Sequence, residues 1–291
     1  DQEEIYPFEA TEEYVDNENS LEARKEITEE ALSIHTATNK RFWQFTYLTG
    51  AMLLLGVIGF LMKIFSGFDD KQAWGYYVAV FAFLMTTTSA APMVAIAPRI
   101  ANAQWRRPIS RAAEIWTLAG SVNLILYIPL IWLLPSLANG RRSLWFYEQQ
   151  EGVPPYSPHV WATLAIIGLV VLGLALTWVS CLPDFALLRD HATGWRKKWG
   201  KKLALGWIGT TAQWNWQYHR MGLLGAFYFM MLVFVHFFIS VEFLMVHVPG
   251  WIDSLYPITH AHNALQGGVA TVMVTMFCLR QFGHTALISL G

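Results

Sequence analysis

The sequence predicts an all-α integral membrane protein with six transmembrane helices. Six apolar stretches are each long enough to cross a hydrocarbon layer of roughly 30 Å. Tryptophan and tyrosine residues lie near their ends, as in the aromatic belts of membrane–water interfaces. The composition agrees, because 54% of the residues are hydrophobic and only 14% are charged, which is too apolar for an ordinary soluble domain. The six predicted spans are residues 42–65, 74–97, 112–134, 159–182, 221–245 and 259–279.

These spans divide the chain into four segments. Residues 1–41 are polar and acidic and form a predicted cytoplasmic N-terminal segment. Residues 42–182 hold four spans, which we expect to form a first four-helix bundle. Residues 183–220 form a predicted cytoplasmic loop, of which 202–216 is amphipathic enough to lie along the membrane interface. Residues 221–291 hold the last two spans and form the predicted start of a second bundle.

Basic residues fall almost entirely on one side of the predicted membrane. They are grouped before the first span, after the second and after the fourth, whereas the opposite loops hold little beyond Lys71, Arg141 and Arg142. Because loops rich in Lys and Arg stay in the cytoplasm, we expect both termini to be cytoplasmic. The basic clusters flank membrane spans, so the lipid bilayer is an expected partner and nucleic acid is not.

Three polar residues lie within the fifth predicted span. His236 and Ser240 share a helix face, whereas Glu242 lies about 120° round the helix from His236. Ionisable residues inside a span are costly, so His236 and Glu242 are functional candidates. A neutral histidine and a carboxylate near the outer boundary can accept the two protons that a hydroquinone releases. The alternative is structural, with His236 bonded to a neighbouring helix and Glu242 facing interfacial water.

Other histidines lie near the outer ends of the predicted spans. His159 begins the fourth span, and His260 and His262 begin the sixth. Positions i and i+2 do not share a helix face and no spaced partners complete a site, so we expect no metal there. A polar cap that contacts a partner protein is the alternative. His159 with His236 is the one pair suited to haem ligation, but their depths do not match, so we expect no haem.

A group of charged residues lies at the cytoplasmic ends of the third and fourth predicted spans. Arg111 and Glu114 are three residues apart and can pair on one helix face. Asp184, Arg189 and Asp190 follow the fourth span closely. These residues form either structural ion pairs that hold helix ends together or part of a proton route.

Five motifs follow one another in the order found in one family of membrane proteins. They are Trp105-Arg106 through Arg111-Ala112-Ala113-Glu114 to Thr117-Leu118; Ser157-Pro158 with Trp161; Leu182-Pro183-Asp184-Phe185-Ala186 with Leu188-Arg189-Asp190; Leu203-Ala204-Leu205-Gly206-Trp207 with Gly209 and Trp214; and Val235-His236 with Ser240, Glu242, Phe243 and Pro249-Gly250-Trp251. Together they resemble NrfD-like proteins, the membrane subunits related to polysulfide reductase. Within this family the chain is most similar to the C subunit of alternative complex III, a quinol-oxidising respiratory complex. The resemblance covers roughly residues 74–280.

The resemblance implies a membrane subunit of a respiratory or photosynthetic electron-transfer complex in the bacterial inner (cytoplasmic) membrane. Such a subunit takes electrons from a quinol, either menaquinol or ubiquinol, near the outer face. It passes them to an iron–sulfur protein subunit, which relays them to a c-type haem subunit beside other membrane subunits. Glu242 and His236 would be catalytic, and His159, Ser240 and Trp251 would bind the quinone. The chain itself is expected to bind no metal or haem.

The chain also departs from the family's pattern. Phe83-Leu84-Met85-Thr86 stands where the family has Gly-His-Ala-Gly, and Ala162 and Ile252 replace a family aspartate and histidine. Glu242 keeps the carboxylate of the family's aspartate. Relatives have eight or ten spans, against six here. A second hypothesis is therefore a non-catalytic anchor or scaffold subunit with a degenerate quinone site. A transporter, the third class, would show broken helices and polar groups at mid-membrane, of which spans one to three show little.

Overall fold

The computed structural model describes residue 29 and residues 40–67, 71–133, 157–245 and 251–281. This part of the chain is helical and contains no strand. Within it, five segments are long and apolar enough to cross a membrane: Trp43–Phe65, Gln72–Ile100, Gln104–Ile131, Val160–Ser180 and Thr211–Leu244. The prediction of an all-helical membrane protein is confirmed at this level, and these five segments correspond to the first five predicted spans.

The described residues form ten α-helices: α1 (Lys40–Phe65), α2 (Lys71–Ala90), α3 (Met93–Ile100), α4 (Arg107–Glu114), α5 (Ala119–Leu133), α6 (Ser157–Ser180), α7 (Leu182–His191), α8 (Gly194–Leu203), α9 (Thr211–Ile239) and α10 (Tyr256–Gln281). Short 3₁₀ turns at Gln104–Arg106 and Ile115–Leu118 flank α4, and a π-helical segment, Ser240–Leu244, continues α9. Pro92 separates α2 from α3, because proline has no N–H to continue a helix.

Helix α10 covers the sixth predicted span but is not among the five segments that are apolar enough to cross a membrane. Its sequence explains the difference, because histidine, asparagine, glutamine, threonine and glycine residues interrupt the apolar ones. The count of six spans is therefore not confirmed. Much of the buried surface of α10 comes from small residues, including Ala264, Gly268 and Val272, which are spaced four residues apart.

The described residues divide into two compact units, residues 29, 40–62 and 279–281 and residues 63–67, 71–133, 157–245 and 251–278. In the first unit, the described part of α1 exposes large apolar side chains along its length, from Tyr47 to Met62. A helix that is apolar all round suits a lipid environment.

The core of the second unit is built from α2, α5, α6 and α9. Helix α9 packs most extensively against α6 and also contacts α2 and α3, while α2 packs against α5. Three fully buried rings, Phe81, Tyr127 and Phe243, meet with centroids 5.8–6.4 Å apart. Because α9 shares this core, the predicted division between a first bundle and a second bundle starting at the fifth span is not confirmed.

Helix α10 lies alongside α2 and the 3₁₀ turn before α5. The backbone of α10 at Gly268 approaches Ala90 and Ala91 so closely that a Cβ atom would lie 2.6 Å from the Ala90 carbonyl carbon. Farther along, the Trp116 indole Nε1 donates a hydrogen bond of 3.0 Å to the Thr275 hydroxyl. These contacts join α10 to α2 and to the turn before α5 between Gly268 and Thr275. The first turns of α10 lie beside α9, where the His260 ring meets the His236 ring.

Candidate functional site

His236 lies inside the second unit and is completely buried. Its Nδ1 atom is 2.8 Å from the Leu232 carbonyl oxygen of the preceding turn. Because a carbonyl only accepts, Nδ1 carries the proton and Nε2 of the neutral ring holds a lone pair. The Nε2 atom is buried and makes no hydrogen bond, although the backbone of Thr86 lies nearby. The Nε2 side of the His236 ring therefore faces the Thr86 backbone in the interior of the helix bundle.

His260, from the start of α10, lies beside His236. The two ring centroids are 5.4 Å apart, and the His260 Nε2 atom is 3.5 Å from the Thr86 hydroxyl oxygen. Tyr256 stacks on His260 with centroids 6.1 Å apart, and Trp251 packs on Tyr256 at 4.6 Å. We call these residues, Trp251, Tyr256, His260, His236 and Thr86, the histidine cluster. It connects the loop before α10 with the buried face of α9.

Ser240 and Glu242 lie in the π-helical segment that follows His236. The Ser240 hydroxyl donates 2.7 Å to the His236 carbonyl oxygen, so it bonds the helix backbone rather than the imidazole. Glu242 is buried, and so are the residues on either side of it. The segment is thus buried except at Leu244, which is partly exposed. Single π-helical turns occur frequently at functional sites, and buried ionisable residues in a span are rare and costly.

The sequence also singles out His159 and His262. His159 lies in the first turn of α6, but its side chain is outside the described part of the structure. His262 is exposed and lies 3.2 Å from the Gln266 amide, so it faces away from His260. Among the described residues, no group of three or more histidine, cysteine, aspartate or glutamate side chains is arranged to hold a metal ion.

At the other end of the helices, the buried Glu114 is the centre of an ion-pair network. The Glu114 carboxylate accepts hydrogen bonds from the Arg99 guanidinium and from the Ser180 hydroxyl. Arg111 is 3.9 Å from the same carboxylate, donates to the Ser180 hydroxyl at 2.7 Å and pairs with Asp184 at 2.9 Å. We call Arg99, Arg111, Glu114, Ser180 and Asp184 the arginine cluster. It joins α3, α4, α6 and α7. The other terminal nitrogen of Arg99 is buried and makes no hydrogen bond, so the Arg99 charge depends on Glu114.

Arg189 belongs to a separate contact and not to the arginine cluster. It donates to both carboxylate oxygens of Asp190, at 2.7 and 2.8 Å, and to the Trp207 carbonyl oxygen at 2.9 Å. The hydrogen bond from Arg189 holds the pKa of Asp190 below its usual range. Arg189 therefore ties α7 to the loop that leads into α9, which is a structural arrangement.

Sequence reasoning missed two contacts that define these clusters. Arg99 pairs with Glu114 across the break between α3 and α4, where no helical spacing relates the two residues. The sequence groups His260 with His247, Asp253 and His262 around the outer loop and does not relate it to His236. Its four-residue spacing from Tyr256 signals that these two residues share a helix face.

No protein-family model matches this chain, and no curated protein matches it significantly. The likeness to NrfD-like proteins thus rests on the sequence motifs alone.

Proposed function

We propose that this chain is a membrane subunit of a bacterial electron-transfer complex and takes part in the oxidation of quinol. The proposal includes six spans, which follow from the six apolar stretches. It also includes a cytoplasmic N-terminus and an outer position for the histidine cluster, which follow from the loop charges. It also includes membership of the NrfD-like family. The observation that carries it is the contact between the ring of the buried His236 and the ring of His260. His236 lies about two helical turns before Glu242 on the same helical segment.

The chemistry of these side chains suits the protons of a quinol. Oxidation of a quinol to a quinone releases two protons and two electrons. His236 holds its Nδ1 proton against the Leu232 carbonyl and leaves the Nε2 lone pair to accept one proton. The Glu242 carboxylate is the second acceptor. A positioned base of this kind contributes about 10²–10⁴-fold to a rate.

The electrons leave through partner subunits in this proposal. An iron–sulfur protein docked at the outer face accepts them and relays them to c-type haems on another subunit, as the family resemblance implies.

The neighbouring side chains take different parts in quinone binding. Phe81, Tyr127 and Phe243 form a buried aromatic group, and Phe243 directly follows Glu242 in the chain. Trp251 and Tyr256 supply a second aromatic pair on the loop side. Ser240 stabilises the backbone after His236, because its proton is donated to the His236 carbonyl. His159 remains part of the proposal by its position at the start of α6.

A specific observation favours the second hypothesis, a scaffold subunit. His236, Ser240 and Glu242 are all enclosed by neighbouring helices, so a quinone can reach them only if the helices part. A scaffold subunit would keep such residues for packing alone.

Quinol-dependent reduction of the electron acceptor by the purified native complex separates the two functions. Glu242→Gln keeps the size of the side chain and removes its ability to take a proton. Asp253→Asn is the matched control, because it makes the same change in the adjacent loop and keeps the oxygen that accepts from the Leu255 N–H. We expect turnover to fall about 100-fold in Glu242→Gln and to persist in Asp253→Asn. Equal turnover in the two variants and the parent complex would establish a scaffold.

A further inference from the structure

Residues 182–209, here called the interfacial segment, join the end of one candidate span at Ser180 to the start of the next at Thr211. This segment contains α7, α8 and the loop before α9. Since both flanking helices are candidates for crossing the bilayer, the segment lies at the boundary between lipid and water. Helix α8 carries five cations and no acidic residue: Arg196, Lys197, Lys198, Lys201 and Lys202. All five are exposed.

Two tryptophans stand among these cations. Trp195 is 70% exposed and Trp199 is 51% exposed. The Arg196 guanidinium lies 5.7 Å from the ring centroid of Trp195, and the Lys202 ammonium lies 5.3 Å from that of Trp199. Exposed indoles paired with cations are typical of helices that rest in the headgroup region of a membrane.

The position of α8 is fixed by its contacts with the bundle. Gly200 is buried against α7, where a Cβ atom would lie 2.7 Å from the Arg189 backbone nitrogen. At the end of α8, the Trp178 indole donates to the Leu203 carbonyl oxygen at 3.3 Å. The cations of α8 are therefore presented on a rigid support.

The loop after α8 exposes two aliphatic side chains from an ordered backbone. Leu205 is 69% exposed and Ile208 is 72% exposed. Leu205 has a φ of 44°, in the left-handed region that is unfavourable for leucine. The Gln213 side chain holds the loop, since its oxygen accepts from the Ile208 and Gly209 N–H groups at 2.9 Å and its amide donates to the Gly206 carbonyl. A strained, well-bonded loop that exposes two aliphatic residues is suited to insertion among acyl chains.

A cavity of about 200 Å³ lies where this loop meets α7. Arg189, His191 and Ile208 are among its lining residues. The loop and α7 thus form one concave surface next to the basic helix.

We propose that the interfacial segment binds anionic phospholipid headgroups. The ammonium and guanidinium groups of α8 contact the lipid phosphates, Trp195 and Trp199 lie at headgroup level, and Leu205 and Ile208 enter the acyl region. Cations alone would also attract a free phosphate ion or an acidic protein. The two exposed aliphatic residues between candidate spans favour lipid, because neither of those ligands offers them an apolar environment.

The test uses the purified full chain in an uncharged detergent and follows bound lipid by native mass spectrometry. The probes are phosphatidylglycerol, phosphatidylcholine with the same acyl chains, and inorganic phosphate. A cation near an anionic surface contributes a factor of about 5 in affinity, so Lys197→Gln with Lys201→Gln weakens phosphatidylglycerol binding about 30-fold. Lys63→Gln with Lys71→Gln is the matched control and leaves the binding unchanged.

Leu205→Asn tests the aliphatic contact without adding backbone strain, because asparagine adopts positive φ readily. We expect weaker binding of both lipids with the preference for phosphatidylglycerol retained.

Three results would overturn the proposal. These are equal binding of phosphatidylglycerol and phosphatidylcholine by the parent chain, unchanged phosphatidylglycerol binding in the α8 double variant, and binding of inorganic phosphate as strong as that of phosphatidylglycerol. If the double variant does not fold, the parent chain is tested at two salt concentrations. Raising the salt from about 50 to about 500 mM must abolish its preference for phosphatidylglycerol, and a preference that salt does not change refutes the proposal.

Discussion

The contact of Gly268 with α2 gives a sharp test of how α10 packs. A Cβ atom at Gly268 would lie 2.6 Å from the Ala90 carbonyl carbon, 2.7 Å from its oxygen and 2.8 Å from the Ala91 nitrogen. These are backbone atoms, so they cannot turn aside as a side chain can. Gly268→Ala must push α10 away from α2, and overpacking of this kind costs about 1–3 kcal/mol. This movement of α10 also loosens the small apolar cluster that contains Val272, Ala91 and Ala95.

Gly222→Ala is the matched control for Gly268→Ala. Gly222 lies inside α9, and no atom lies within 4 Å of a Cβ atom built there. Alanine in a helix interior is more favourable than glycine by about 0.5–1 kcal/mol, so this variant is neutral or more stable. We expect the stability of Gly267→Ala to lie between those of Gly268→Ala and Gly222→Ala, since its Cβ would meet the Thr87 methyl group at 3.2 Å.

The assay is denaturant unfolding in detergent micelles, followed by far-ultraviolet circular dichroism. We expect Gly268→Ala to lower the free energy of unfolding by about 2 kcal/mol relative to the parent chain. If Gly268→Ala is as stable as Gly222→Ala, then α10 does not approach α2 as the structure describes.

Further predictions concern buried polar contacts and use the same unfolding measurement. Glu114→Gln leaves the buried Arg99 charge without a carboxylate and costs about 3 kcal/mol, whereas Asp184→Asn, at a half-exposed pair, costs under about 1 kcal/mol. Equal losses in these two variants would contradict a central position for Glu114. Tyr228→Phe removes the hydrogen bond of 2.8 Å to the Ser89 carbonyl and costs about 1 kcal/mol. An unchanged stability would mean that this carbonyl finds another donor.

The helical class and the first five spans were predictable because each depends on local composition. An apolar stretch of about 20 residues has few alternatives to a membrane helix, whatever its neighbours. The sixth span was a harder case, because α10 packs through small residues such as Gly268, and glycine adds little to hydropathy. Such a contact depends on the partner helix and leaves no periodic apolar pattern.

The residues of the candidate site were also predictable only where the signal is local to the sequence. His236 and Glu242 stood out because an ionisable residue in an apolar span is conspicuous in the sequence. The contact between His236 and His260 depends on how α10 meets α9, and the pair of Arg99 with Glu114 depends on a break between helices. No spacing rule relates residues across such junctions.

Photolabelling tests the proposed quinol site most directly. The native complex would be illuminated with a quinone that carries a photoreactive group, and the labelled peptides would then be identified. We expect label on the helical segment that contains His236 and Glu242, or on the loop and first turns of α10. We also expect an excess of natural quinone to prevent this labelling. Competable label confined to another subunit, or to the arginine cluster of this one, would contradict a quinol site at His236.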